Sequence, residues 1–223
     1  LKEKDAEFRQ LQAQINPHFL YNTLGIIRWR ALDADDRELC DIVDLMTTFY
    51  RLSLNRGGSL ARFREELDHV RAYIQIQQHR FQDRVRVVWD VDESLYELYT
   101  IKLILQPIVE NCYMHGNVHK RKDGEIRLSG RRAGSEVVFT VSDNGAGMAD
   151  DDVRRFARRE PVGKNQGYGL RNIEERLRLY FGQSGSLRID SVEGKGASVT
   201  VRMPVCTEPP SMRRGNDAAS DDR

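Results

Sequence analysis

A change of hydrophobic period near residue 83 constrains this chain more than any other feature. Before it, apolar residues recur at three- and four-residue steps, as amphipathic helices require. After it they recur at two-residue steps in short runs, as half-buried strands require. Leu1, Phe8, Leu11, Ile15, Phe19, Asn22 and Ile26 form one helical stripe, interrupted only by the polar Asn22. Before Pro17 the opposite face is polar, which suits a two-stranded coiled coil. After Pro17 a second stripe of Leu20, Leu24, Ile27 and Ala31 predicts burial on two sides, as in a four-helix bundle. "CDIVDLMTTFYRLSL" (40–54) and "REELDHVRAYIQIQQHRF" (64–81) predict two more helices, with "RGGS" as a turn between them.

The two-residue period opens with "RVRVVWDV" (84–91). "TIKLILQPIVENCYMHG" (100–116) predicts an apolar helix, and "EIRLSGR" (125–131) with "SEVVFTVSD" (135–143) predicts neighbouring strands. A helix over 169–182 and strands over 186–192 and 197–203 close the pattern. The final stretch, "TEPPSMRRGNDAASDDR", has no apolar anchor and is expected to be disordered. The chain thus divides into a helical part to about residue 83 and an α/β part over 84–205, with 223 residues enough for two modest cores.

Charge excludes some functions. The 35 basic and 34 acidic residues nearly cancel, which argues against a nucleic-acid footprint. No apolar run approaches the ~20 residues that span a bilayer, and no signal peptide opens the chain. Cys40, Cys112 and Cys206 form no metal pattern, consistent with a reducing compartment. The chain opens mid-pattern without a methionine, as a piece of something longer would.

Four short stretches carry chemistry. In "NPHFLYN" (16–22), Pro17 stands inside a helical pattern, where it costs roughly 3 kcal/mol, and His18 follows. By itself this reads as a tolerated kink. In "ENCYMH" (110–115), Glu110 and Asn111 are neighbours, and Asn111 and His115 share a helix face. An oxygen-liganded Mg²⁺ would offset their burial, but a polar helix end would look the same. In "DNGAGM" (143–148), Asp143 can accept a hydrogen bond while Gly145 and Gly147 let the backbone approach a ligand, although a turn uses the same residues. In "GKNQGYGLRN" (163–172), Gly167 and Gly169 precede a helix whose first amides suit phosphate, and Lys164 could add charge.

The last three stretches, in this order, resemble the nucleotide boxes of the GHKL superfamily of ATP-binding domains, and "EGKGASVTVRMP" (193–204) resembles its closing strand pair. The resemblance implies an α/β sandwich with a mixed sheet. It implies that Asn111 binds Mg²⁺, with Glu110 as base or water-orienting group, and that Asp143 recognises the adenine amino group. Gly145 and Gly147 would shape the adenine wall, Gly167, Gly169 and Leu170 would cradle the phosphates, and 149–166 would form a lid over ATP. "QINPHFLYNTL", "EELDHVRAYIQIQQHRFQDR", "LQPIVENCYMHG" and "GYGLRNIEERLRLYFG" resemble the LytS/YesM-like bacterial sensor histidine kinases. That resemblance implies an α+β chain of two domains: a coiled-coil end (1–15), a helical dimerisation and phosphoacceptor bundle (16–83), an ATP-binding domain (84–205) and a tail (206–223).

The implied activity is ATP-dependent autophosphorylation of His18 and transfer to an aspartate of a response-regulator receiver domain. The chain would act as a homodimer, on the cytoplasmic side of a membrane sensor reached only through a missing N-terminal region, with no nucleic-acid partner. Asn22 would either orient a hydrolytic water or set bundle register. Phe19 stands where commoner histidine kinases carry an acid, so the base is expected from elsewhere, with Glu110 the candidate. A GHKL ATPase or serine kinase that does not use His18, and a silent nucleotide-binding scaffold, remain as alternatives. His69 and His79 are expected in the bundle or on its surface, His115 in packing, and His119 and "RRFARR" (154–159) in solvent.

Overall fold

Asn16 fixes where the first helix begins. In this computed structural model, which describes residues 16–54, 59–82, 84–160 and 168–210, Asn16 is extended (φ −77°, ψ 104°). Its Oδ1 accepts the N–H of His18 (3.1 Å) and Phe19 (3.4 Å), so Asn16 caps helix α1, Pro17–Asp33. Pro17 therefore occupies the first helical position, where its missing N–H and fixed φ are favourable. This corrects the expectation of a proline inside a continuous helix. The expected coiled-coil end over 1–15, Lys164, Gly167 and the tail beyond 210 lie outside the described residues.

Helix α2 (Arg37–Leu54) folds back on α1 as a hairpin, with Leu24 and Ala31 of α1 and Cys40 and Val43 of α2 buried between them. Arg28 and Asp44 bond across it at 2.7 Å. The two predicted stripes of α1 have different fates. The second supplies the buried Leu24 and Ala31, whereas Phe19 and Ile26 of the first stay 70% and 64% exposed.

Strand β1 (Leu60–Arg62) leads into helix α3 (Phe63–Phe81) and pairs antiparallel with β3 (Tyr99–Ile101). That pairing shortens the helix predicted over 100–116. The chain is a strand to residue 101, turns at Leu103 with φ 57°, and becomes helix α4 only at Gln106, ending at Met114. The buried Glu66 of α3 accepts the N–H groups of Leu103 (2.6 Å), Ile104 (2.8 Å) and Leu105 (3.2 Å). These donors would otherwise be orphans at the start of α4.

Five strands form the main sheet: β2 (Arg86–Val91), β4 (Glu125–Ala133), β5 (Glu136–Asp143), β6 (Ser186–Val192) and β7 (Gly196–Pro204). Their order is β2-β4-β5-β7-β6, with β2 and β4 parallel and the remaining neighbours antiparallel, so the sheet is mixed. Alternation along β5 buries Val137, Phe139 and Val141 on one face. Helices α3, α4 and α6 (Tyr168–Phe181) contribute Leu67, Ile108 and Leu177 to the same core. The predicted divide at residue 83 thus falls between α3 and β2, two elements that share one core. Cys206 was expected to open an unanchored tail, but its carbonyl accepts the N–H of Tyr99 and it packs against this core.

Candidate active site

A narrow slot of about 70 Å³ lies between α4, the start of α6 and the ends of β5 and β7, with Asn111, Cys112, His115, Asp143, Gly147 and Leu170 on its walls. A more open and polar hollow of about 710 Å³ lies beside it and also touches Asp143, but Arg86 and Arg127 there are paired with Glu125. Four of the expected nucleotide residues, Asn111, Asp143, Gly147 and Leu170, converge on the slot, and Asn111 and His115 share a helix face as their spacing predicts.

Asp143 ends β5 and is held from several sides. Its Oδ1 accepts the N–H of Gly145 at 2.7 Å. Burial pushes its carboxyl above the ordinary range, while the Gly145 N–H, the Cys112 thiol and the Ala197 N–H pull it back. Gly145 has no room for a side chain, because a Cβ would meet the Gly116 carbonyl and Asp143 itself. Gly147 has φ 68° and lies against the Val192 carbonyl. The loop is fastened further by Ser191 Oγ, which accepts from Met148 N (2.8 Å) and donates to Gly196 O (2.9 Å).

Other expected residues stand apart from the slot. Glu110 is beside Asn111 in sequence but not on the slot wall, and its Oε2 accepts from Gln106 Nε2 at 2.8 Å. Gly169 is exposed in the first turn of α6, where a Cβ would meet only Pro107 at 3.6 Å. Part of the expected lid is helix α5 (Asp150–Ala157), anchored by the buried Phe156. Arg171 lies over that ring at 4.4 Å and bonds Glu174 (3.0 Å) and Glu160 O (3.3 Å). Within "RRFARR" only part is solvated, since Phe156 is core and Arg159 reaches Glu174 at 3.5 Å.

His18 lies exposed in the first turn of α1, and Asn22, one turn on, places Nδ2 at 3.2 Å from His18 Nδ1. Two other histidines, His69 and His119, are structural. His69 is buried, stacked on Phe49 and bonded to Ser53 Oγ at 2.7 Å. His119 was expected in solvent, yet it stacks on Phe81 at 3.9 Å. Sequence reasoning singled out neither Cys112 nor Met148 at the slot. A helical projection would have found Cys112, which lies four residues after Ile108 and three before His115 on the face that lines the slot.

A Mg²⁺ ion bound through phosphates needs few protein oxygens, and Asn111 offers one amide oxygen on the slot wall. The described residues hold no group of three or more His, Cys, Asp or Glu arranged for a metal, so the fit is to a metal carried by a ligand.

Two family models match the chain. Residues 6–85 match that of histidine kinases, and residues 98–207 match that of the histidine kinase-, DNA gyrase B- and HSP90-like ATPases. The chain belongs to the histidine kinase family. Sensor histidine kinase YesM of Bacillus subtilis (strain 168) is 37% identical over 205 residues, 92% of this chain and 34% of the relative. Sensor histidine kinase BtsS of Escherichia coli (strain K12) is 31% identical over 199 residues, 89% of this chain and 33% of the relative. The chain thus spans about a third of the length of the curated relatives it matches. The histidine kinase domain of the blue-light-activated histidine kinase of Erythrobacter litoralis shares the fold, with a TM-score of 0.50 and 17% identity, over 92% of this chain and 93% of that one.

Proposed function

We propose that this histidine kinase chain binds ATP in the slot, phosphorylates His18 and passes the phosphoryl group to an aspartate of a response-regulator receiver domain. The observation that carries this reading is the convergence of Asn111, Asp143, Gly147 and Leu170 on one slot of a chain that also presents an exposed histidine at a helix start. The Asp143 carboxylate accepts the adenine amino group, and its fixed position makes it selective for a donor there. Asn111 would hold Mg²⁺, which would neutralise phosphate charge. Glu110 serves as base, and Gly167, Gly169 and Lys164 meet the phosphates. The reaction is mainly positioning: a neutral imidazole is a competent nucleophile once its lone pair faces the γ-phosphorus.

The exposed stripe of Phe19, Ile26 and Trp29 supports a homodimer through α1, whose partner would cover these side chains. Because α3 shares the core of the sheet, we place the division between the phosphoacceptor hairpin and the nucleotide-binding unit ahead of β1 rather than at 83. No helix among the described residues is long and apolar enough to cross a membrane, and we assign the chain to the cytoplasmic side of a bacterial membrane sensor.

Incubation with γ-labelled ATP and Mg²⁺ tests the reading. Acid-labile label on the wild type and none on His18→Ala is expected. Acid-stable label would point to a serine kinase, transfer surviving His18→Ala would remove His18, and ATP binding without transfer would leave a scaffold.

A further inference from the structure

We infer that Asn22 is a positioning residue that holds His18 as the Nε2–H tautomer, so that phosphoryl transfer to Nε2 requires a base to take that proton. The inference rests on the reading of His18 as the phosphorylated residue. The side-chain amide of Asn22 places Nδ2 at 3.2 Å from His18 Nδ1. An amide nitrogen only donates, so Nδ1 is the acceptor and the single proton of the neutral ring sits on Nε2. The backbone beneath the ring is fixed too, because Asn16 Oδ1 holds the His18 N–H at 3.1 Å.

The neighbouring residue makes the assignment consequential. A carboxylate next to the histidine could accept Nδ1–H and leave Nε2 with a free lone pair. Here the neighbour is Phe19, an exposed ring with nothing to accept a proton. The partner that Nδ1 does have is a donor, and it favours the opposite tautomer.

The in-plane electron pair of Nε2 is then tied up in the N–H bond, and attack on phosphorus must be coupled to its release. As the Nε2–P bond forms, the Nε2 proton passes to a carboxylate, and the bond from the γ-phosphorus to the bridging oxygen breaks with its electrons leaving on ADP. The product is an uncharged imidazole ring bearing an anionic phosphoryl group on Nε2, with Nδ1 still accepting from Asn22. Glu110, borne by the nucleotide helix beside Asn111, is the carboxylate assigned to take the proton.

Nitrogen-15 NMR of His18 in the full chain, without nucleotide at pH 8, reads the tautomer directly. The wild type should be Nε2–H, and Asn22→Asp, whose carboxylate accepts instead of donating, should move the proton to Nδ1. Autophosphorylation supplies the second readout. Glu110→Gln should be slow, and Asn22→Asp in the Glu110→Gln background should recover at least tenfold, because Nε2 is now free. A wild-type ring protonated on Nδ1 would overturn the inference. So would an Asn22→Asp ring with the expected tautomer but no recovery in the double variant. Nε2–H in the wild type with no transfer from any protein would count against the kinase reading while upholding the tautomer.

Discussion

Single side chains set the chemistry here, and His69 shows how strongly a position can alter one. Buried between α2 and α3 beside the charge of Lys102, it has a pKa lowered to about 4, mostly by desolvation. The unfolded chain takes up this proton first, near 6.5, so stability is full above that pH and falls as the pH drops from 6.5 towards 4. From this residue alone, denaturant unfolding should lose about 2 kcal/mol between pH 7 and pH 5, and His69→Gln should flatten that slope. An unchanged slope in the variant would place the titration elsewhere. Asn16 makes a second residue-scale point. "NPHF" contains a helix cap followed by proline at the first helical position, but the apolar stripe running through it suggested a continuous helix. Periodicity reports which face is buried and is silent on whether the backbone hydrogen-bond ladder is interrupted.

At the scale of elements, most helices and strands were legible. Strand β6 falls where its alternation places it, and α2, α3 and α6 begin within three residues of expectation. The misses involve pairing between distant segments. Residues 99–101 run straight into the apolar stretch that becomes α4, and their pairing with 60–62 sets them apart from it as a strand. Glu66 is a similar case. In sequence it is one of two glutamates in the first turn of a helix, whereas in the fold it caps another helix 37 to 39 residues away. Glu66→Ala would leave three N–H groups unpaired, two of them buried, at about 1–3 kcal/mol each. Chemical denaturation should register that loss, and ATP binding should weaken with it because α4 carries Asn111. Wild-type stability in the variant would mean that water takes over the cap. For the slot, Asn111 of "ENCYMH" and Asp143 and Gly147 of "DNGAGM" stood out in the sequence, because polar residues in an apolar helix and glycines after a strand are unusual enough to single out. Cys112 and Met148 did not, since ordinary apolar packing selects the same residues.

For the molecule as a whole, the uneven burial of α1 is the telling property. Phe19, Ile26 and Trp29 remain exposed while Leu24 and Ala31 on the opposing face are covered. A second copy laying the same stripe against this one would complete a four-helix arrangement. Trp29→Asp should convert a dimer to a monomer in sedimentation velocity while leaving nucleotide binding by the slot unchanged, because Trp29 is not on the slot wall. A wild type that sediments as a monomer would reject the assembly.

The start of α1 has one more consequence. His18 stands at the second position of the helix, where aligned peptide dipoles make the surroundings electropositive even with the first amides capped by Asn16. A phosphoryl group there would carry about two negative charges into that field and be stabilised by roughly 0.3–1 kcal/mol. Phosphoramidates are energy-rich, and this interaction lowers the phosphorylated state slightly, so that much driving force is withheld from onward transfer. Were His18 phosphorylated, the helix start would act as a shallow reservoir, holding the phosphoryl group slightly more favourably until an acceptor offers something better.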